Sequence, residues 1–346
     1  MKTSTTCISG FRKLAILAVM ASAFISCDNI LDDEYGDCTN ETVYRLKFKY
    51  DYNIKKADAF ANEVQSVTVY AFDEDGKFVY QRSESGDMLA EDDYAMDFEV
   101  ESGDYHLVTW GGLEGDASFS VPVLTPGVST IDDLNCRMER VYSRAEGEGG
   151  IVDSQLSSLF HGEITRQSFS RAVTEKVITV PLKKNTNNMH IILQHLSNEM
   201  VDVSKFDFRI TDDNGLMNYD NSLLDDEELT YYPWHTGQAT TDGGSRAADT
   251  SVNVATAELT VGRLVVENNP RLTIVNTEKN DTVLSIPLID YLILAKSYRY
   301  SDMEDQEYLD REDQYNMTFF LDEQDRWYDA QIIINGWAVV RDQTGI

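Results

Sequence analysis

The chain has 346 residues, 42% hydrophobic and 10% aromatic, with 29 basic against 60 acidic residues and a formal charge of −31. That balance excludes a protein that grips a phosphate backbone, because such binding needs a concentrated basic patch and the sequence has none. A disordered acidic tail is excluded as well, since 18 Tyr and 14 Phe accompany ordinary hydrophobicity.

The chain opens with Lys2, Arg12 and Lys13, then a charge-free apolar run at 14–24 (LAILAVMASAF), then Ile25, Ser26 and Cys27. The run is too short to span a bilayer, which takes about 20 apolar residues. Its positive, apolar, small order is that of a cleaved secretory signal. A cysteine at the cleavage point makes a lipoprotein box, in which Cys27 takes a diacylglycerol and becomes the first mature residue. Removing 1–26 leaves 26 basic and 60 acidic residues, a formal charge of −34. Of the four cysteines, Cys7 leaves with the signal and Cys27 is lipidated, so Cys38 and Cys136 remain as a candidate disulfide in an oxidising compartment. Residues 27–42 form an acidic tether (DNILDDEYGD at 28–37) with no periodicity.

The 320 mature residues exceed what one core usually serves, and two domains of about 150 are expected. Residues 44–52 alternate Tyr44, Leu46, Phe48, Tyr50 and Tyr52 with Arg45, Lys47, Lys49 and Asp51, a strand signal. Residues 54–63 read as a helical turn or two. Residues 64–72 and 77–82 flank an Asp-Glu-Asp-Gly turn and read as a hairpin. A second hairpin is expected from 94–100 and 105–110 around a turn at 101–104. Further strands are expected at 118–124 and 175–183, with a Gly/Glu-rich loop at 141–153 and a turn at 155–162. Short strands, frequent turns and no long helical period indicate an all-β protein built as an antiparallel sandwich.

The polar break at 183–188 (KKNTNN) is the expected boundary between an N-terminal β-domain (43–185) and a C-terminal one (186–346). Strands are expected at 189–196, 206–210, 216–219, 251–264, 271–275, 282–288 and 292–296, with a loop at 237–250. The pair 206–219 echoes 67–80, Gly215 against Gly76, as two similar domains in tandem would. Residues 301–313 are dense in charge and read as a loop or helical turn. Residues 314–321, 328–334 and 337–341 complete the chain as strands, with a break at Asn335 and Gly336.

No catalytic constellation emerges: there is no GxSxG elbow, Walker loop, GxGxxG or HExxH. His190 and His195, five apart on a strand, lie on opposite faces and do not share a metal. The carboxylates at 301–313 lack the Asp/Asn-with-Gly order of a calcium loop and read as a solvated face. Tyr231, Tyr232 and Trp234 form an aromatic cluster with two readings, a platform for a sugar ring or ordinary packing. The sequence describes a binding or structural module rather than an enzyme, with no metal, no small-molecule substrate and no cofactor beyond the lipid on Cys27.

With these residues placed, the chain resembles the fimbrillin-associated anchor lipoproteins of Bacteroidota type V pili. The matching stretches are FKYDYN, KKADAF and VTVYAFDEDGKFV within 46–79, SGDYHLVTWGG at 102–112, LFHG at 159–162, DREDQYNMTFFL at 310–321 and IIINGWAV at 332–339. The resemblance implies two tandem transthyretin-like, Greek-key β-sandwich domains and attachment to the outer membrane through Cys27. It implies surface exposure too, because acidic residues after the lipidated cysteine route Bacteroidota lipoproteins outward. The implied role is at the base of a pilus, holding fimbrillin shaft subunits and limiting shaft length. In such pili, shaft subunits lose their first strand to an arginine-specific protease, and another subunit's C-terminal strand fills the groove. For this chain 331–346 is the expected donor, with Ile332, Ile334, Trp337 and Val339 as partner-binding residues; the alternative, given the short tail beyond Trp337, is that this strand belongs to the C-terminal domain's own sheet. A Cys38–Cys136 bridge would staple the 44–52 strand into its own domain. The alternative reading is a surface glycan-binding lipoprotein that uses Tyr231, Tyr232 and Trp234.

Overall fold

The computed structural model describes residues 43–115, 118–142, 149–170, 175–241, 252–296 and 298–339. The first strands are β1 (Val43–Lys49), β2 (Ser66–Phe72), β3 (Phe78–Ser85), β4 (Met96–Phe98), β5 (Gly103–Gly111) and β6 (Phe119–Ser120). They are followed by β7 (Asn135–Met138), β8 (Val141–Tyr142), β9 (Gly150–Val152), β10 (Phe160–Phe169), β11 (Glu175–Pro181) and β12 (Lys183–Lys184). The second half runs through β13 (Asn187–His195), β14 (Phe206–Asp212), β15 (Leu216–Asn218), β16 (Leu229–Tyr231), β17 (His235–Thr241) and β18 (Val252–Val261). It ends with β19 (Arg271–Asn276), β20 (Asp281–Pro287), β21 (Gln314–Leu321), β22 (Trp327–Ile334) and β23 (Trp337–Val339). Short helices α1 (Phe60–Glu63), α2 (Leu288–Leu294) and α3 (Asp305–Arg311) interrupt them.

The alternation read at 44–52 is β1: Tyr44, Leu46, Phe48 and Tyr50 are buried while the residues between them face outward. β1 is the middle strand of a three-stranded sheet ordered β11-β1-β4. It packs on a five-stranded sheet ordered β12-β10-β5-β2-β3, and the two share a core that includes Val67, Val69, Leu107 and Phe160. All seven residues of β2 are buried. Val67, Val69 and Ala71 face this first core, while Tyr70 and Phe72 enter a second one. A strand covered on both faces has no reason to alternate.

The second core lies between two six-stranded sheets, ordered β17-β18-β13-β21-β22-β23 and β20-β19-β14-β16-β9-β8. Ile191, Leu193, Met317 and Phe319 come from one sheet, and Phe208, Ile210, Leu272 and Ile274 from the other. β7 and β9 come from before residue 185 yet pair into the second half, β7 with β15 and β9 in parallel with β16, and β8 extends that sheet beside β9. The expected break at 183–188 is not a solvated linker either, because Lys184, Asn185, Thr186 and Asn187 are 8, 0, 3 and 4% exposed.

Two expected hairpins are not formed. β4 joins β1 in one sheet while β5 pairs with β2 and β10 in the facing sheet, so the turn at 101–104 crosses the sandwich. β14 and β15 also part company, because β15 pairs with β7 instead, and the echo with 67–80 is not a structural repeat. The expected turn at 155–162 leads into the ten-residue β10, whose register shifts between Ile164 and Gln167 and blurs its alternation. The expected strand at 292–296 is α2, where Leu288, Ile289, Tyr291 and Leu292 are buried at helical spacing. The β22–β23 hairpin does form. Asn335 (φ 48°) and Gly336 (φ 81°) take the left-handed pair that a two-residue turn between twisted strands requires.

Candidate functional site

The two ends of the described chain are built in opposite ways. β1 pairs in parallel with β11 from Val43↔Glu175 to Lys49↔Pro181, and antiparallel with β4 on its other side. Phe48 stacks on Phe60 at 5.6 Å and Tyr50 meets Phe160 edge-on at 5.1 Å. The Tyr44 hydroxyl accepts from the Ser170 N–H at 2.6 Å. Burial, followed by nearby Asp313 and Glu63, raises the Tyr50 phenol well above its ordinary range and keeps it neutral. Arg45 sits in the middle of this ladder, its Nε 3.2 Å from Asp97 and its Nη1 3.9 Å from Glu175. Cys136 is fully buried in the second core and has no disulfide partner among the described residues, and as a thiol it is pushed far up by burial. Cys27 and Cys38 lie outside the described residues.

At the other end, β23 is the outer strand of its sheet and, among the described residues, pairs only with β22. The expected partner-binding residues divide. Ile332 (2% exposed) and Ile334 (0%) belong to the second core, while Trp337 is 56% exposed. Val339 closes the ladder opposite Ile332. Tyr328, 48% exposed on β22, is a further surface aromatic that the sequence pattern did not single out.

The aromatic cluster does not stand as a unit on the surface. Tyr231 is 0% exposed, its hydroxyl donates to Asn214 Oδ1, and burial raises its phenol. It is core. Tyr232 and Trp234 are half-buried, and Trp234 lines a cleft of about 380 Å³ with His190, Glu258 and Asn316. His190 and His195 do take opposite faces. His190 Nδ1 lies 3.1 Å from Asn316, whereas the buried His195 places Nε2 3.0 Å from Asp325. No group of three or more His, Cys, Asp or Glu among the described residues is placed to hold a metal. The carboxylates of 301–313 face basic partners rather than one point: Asp305 meets Lys296 at 2.6 Å, Glu307 meets Arg311 at 2.7 Å and Asp310 meets Arg263 at 3.0 Å.

A polar seam between the sandwiches went unrecognised in the sequence. Lys184, its side chain 6% exposed, reaches Glu63 at 2.9 Å and Asp313 at 2.5 Å. Burial alone would lower its pKa, but Asp313 and Glu63 outweigh that and hold it above the ordinary value. Asn185 and Asn221 exchange side-chain hydrogen bonds at 2.6 and 3.2 Å. Arg140, its side chain 2% exposed, reaches Asp226 at 2.7 Å and donates to the Gly215 carbonyl at 3.0 Å. The available signal was the run KKNTNN itself, polar residues too close to strand ends to form a loop.

Comparison with known families and structures identifies this arrangement. The family described as fimbrillin-A associated anchor proteins Mfa1 and Mfa2 matches residues 34–343. The chain belongs to that family. An adhesin candidate from Bacteroides thetaiotaomicron is 37% identical with a TM-score of 0.77, over 86% of this chain and 97% of that one. A polysaccharide-binding candidate from the same species is 32% identical with a TM-score of 0.75, over 88% and 99%. The fimbrial anchor protein Mfa2 of Porphyromonas gingivalis shares the fold at 14% identity and a TM-score of 0.62, over 87% and 99%. Comparison with curated proteins gives no match. The family is of structural, fimbrial-anchor type rather than an enzyme family, and it associates the chain with fimbrillin subunits and the cell surface. No helix among the described residues is long and apolar enough to cross a membrane.

Proposed function

We propose that this anchor-family protein is held in the outer membrane by lipid on Cys27 and retains a fimbrial shaft through its C-terminal hairpin, setting where the shaft ends. The observation that carries the reading is the unequal status of the two terminal strands. β1 is central, paired on both sides and buried through Tyr44, Leu46 and Phe48, so its groove is filled from within the chain. An anchor must keep the strand that leads to its lipid, since losing it would free the fold from the membrane. β23 is an edge strand among the described residues and carries an exposed Trp337, the feature a strand-adding or strand-exchanging partner needs. Donation of 331–346 to a fimbrillin is the form of exchange proposed. It requires β22 to give up Ile332 and Ile334 from the core, whereas pairing at β23 does not. A Cys38–Cys136 bridge would reinforce the retention of β1 but is not needed for it.

The test is in cells. Cys27→Ser should move the protein and its shafts from the membrane fraction into the medium. Removal of 337–346 should leave the anchor membrane-bound and release the shafts. Shafts that stay attached to the truncated anchor contradict the assignment of the hairpin.

A further inference from the structure

Antiparallel pairing dominates both sandwiches, yet each contains a parallel pair that includes an inner strand, β1 beside β11 and β13 beside β21. Parallel pairs are the minority in sheets of this kind, two- to three-fold rarer overall. Here they stand in series. β11 leaves its ladder at Pro181, the Leu182 N–H still donates to the Lys49 carbonyl at 2.8 Å, and β13 begins at Asn187. From Lys184 to Asn187 the connecting residues are buried and hydrogen-bonded. Lys184 ties Glu63, on α1 of the first sandwich, to Asp313 at the foot of β21. The Asn185 N–H donates to the Leu159 carbonyl at 2.7 Å, and Asn187 Nδ2 donates to the Gly262 carbonyl at 3.0 Å. Beside them the Ile54 N–H donates to the Arg311 carbonyl at 2.8 Å, and the Arg311 guanidinium lies 3.9 Å from the Tyr52 ring centre.

We propose that these elements form a tension path, in which a pull on the start of β1 crosses the β1–β11 ladder in shear and passes through residues 182–187 into β13 and β21. The direction of the pull rests on the reading that the lipid lies N-terminal to β1. The mechanical property rests on topology alone. Force that enters β1 at Val43 and leaves β11 at Pro181 acts at opposite ends of a parallel pair. It then runs along the strands, and the registered pairs must yield together. Force that enters and leaves at the same end would open them one at a time. The buried linker completes the device, because a solvated 183–188 would let the sandwiches swing and shift the load onto side-chain packing. Desolvated, fully partnered hydrogen bonds hold a fixed geometry. This accounts for a polar run where a core or a flexible loop would be expected.

Single-molecule stretching of the mature chain tests the proposal without membrane or shaft, so its outcome is independent of the Cys27 reading, which the Cys27→Ser release experiment decides. One geometry pulls from the N-terminus to the C-terminus. The other pulls from the N-terminus to a handle on Lys176→Cys, an exposed position near the start of β11. The first sandwich, identified by its length step, should need at least about twice the force in the end-to-end geometry, because the same ladder is sheared rather than peeled. Equal or lower force end to end overturns the proposal. Asn185→Ala, chosen after its melting curve shows a folded chain, should lower the end-to-end force and leave the 176 geometry unchanged. Equal effects in both geometries, or in neither, count against the linker's part in the path.

Discussion

The first and last strands of the described chain differ in every physical respect that governs exchange. β1 has neighbours on both sides and four inward-facing side chains, Tyr44, Leu46, Phe48 and the following Tyr50, that are no more than 5% exposed. β23 has three residues and, among the described residues, one neighbour. A sheet edge offers its unpaired N–H and C=O groups to another chain, while a central strand offers nothing until its sandwich opens. Within the anchor family to which this chain belongs, the difference assigns tethering to one end and partner engagement to the other.

The comparison can be broken hardest at Phe48. Phe48→Ala should cost about 3–5 kcal/mol in denaturant unfolding, since a fully packed aromatic leaves both transfer energy and a cavity behind. A loss below about 1 kcal/mol would mean that β1 is not held as described. Lys184→Met strands Glu63 and Asp313 without their cation and should cost about 1–3 kcal/mol, the lower side applying because both carboxylates keep some water. An unchanged midpoint would remove the seam from the account.

Acidity separates the sandwiches more gently. Burial raises the Asp212 carboxyl at the end of β14 to about 7, and burial with Asp313 nearby raises Glu312 at the seam to about 7. A carboxyl with a raised folded pKa stabilises fully below its unfolded value and loses that contribution as pH rises through the folded one. Wild type should therefore lose stability relative to Asp212→Asn between pH about 4 and about 7, and Glu312→Gln should show the same sign. Parallel pH profiles for wild type and variants exclude the effect. His161 acts oppositely. Its burial lowers the imidazole to about 4, so its contribution is lost as pH falls below its unfolded value of 6.5 toward that value. The difference between wild type and variant cancels that background.

The smallest effect on stability is expected at Trp337. Trp337→Ala should change folding by less than about 0.5 kcal/mol because the ring is largely in water, yet it should weaken capture of a fimbrillin in a pull-down. Ile334→Ala reverses the pattern, costing about 2–5 kcal/mol through the core. If both variants behave alike, the division between core and edge residues on the hairpin is wrong.

The sequence made β1 readable because only one of its faces is buried, so alternation survived. β2 lost that pattern by lying between two cores, and β10 by its register shift at Ile164. The hairpins expected at 94–110 and 206–219 failed for a different reason. A turn signal says that the chain reverses, not which sheet receives the returning strand, and Met96 and Met217 pair with strands far away in sequence. The fate of Tyr231 followed from neighbours such as Asn214 and Met138 that no local window contains. The run at 183–188 looked like a linker because polarity was read as exposure, whereas Lys184, Asn185, Thr186 and Asn187 are buried with partners. The hairpin at Asn335 and Gly336 was legible to the residue, since its turn chemistry is local.

Hydrogen exchange of the mature protein, with and without an added fimbrillin shaft subunit, addresses the contrast between the two ends most directly. Amides of residues 44–49 should exchange only through opening of the whole sandwich and be unaffected by the partner. Amides of 337–339 should exchange quickly alone and become protected in the complex. Protection appearing at β1, or a β1 that exchanges as readily as β23, would contradict that contrast.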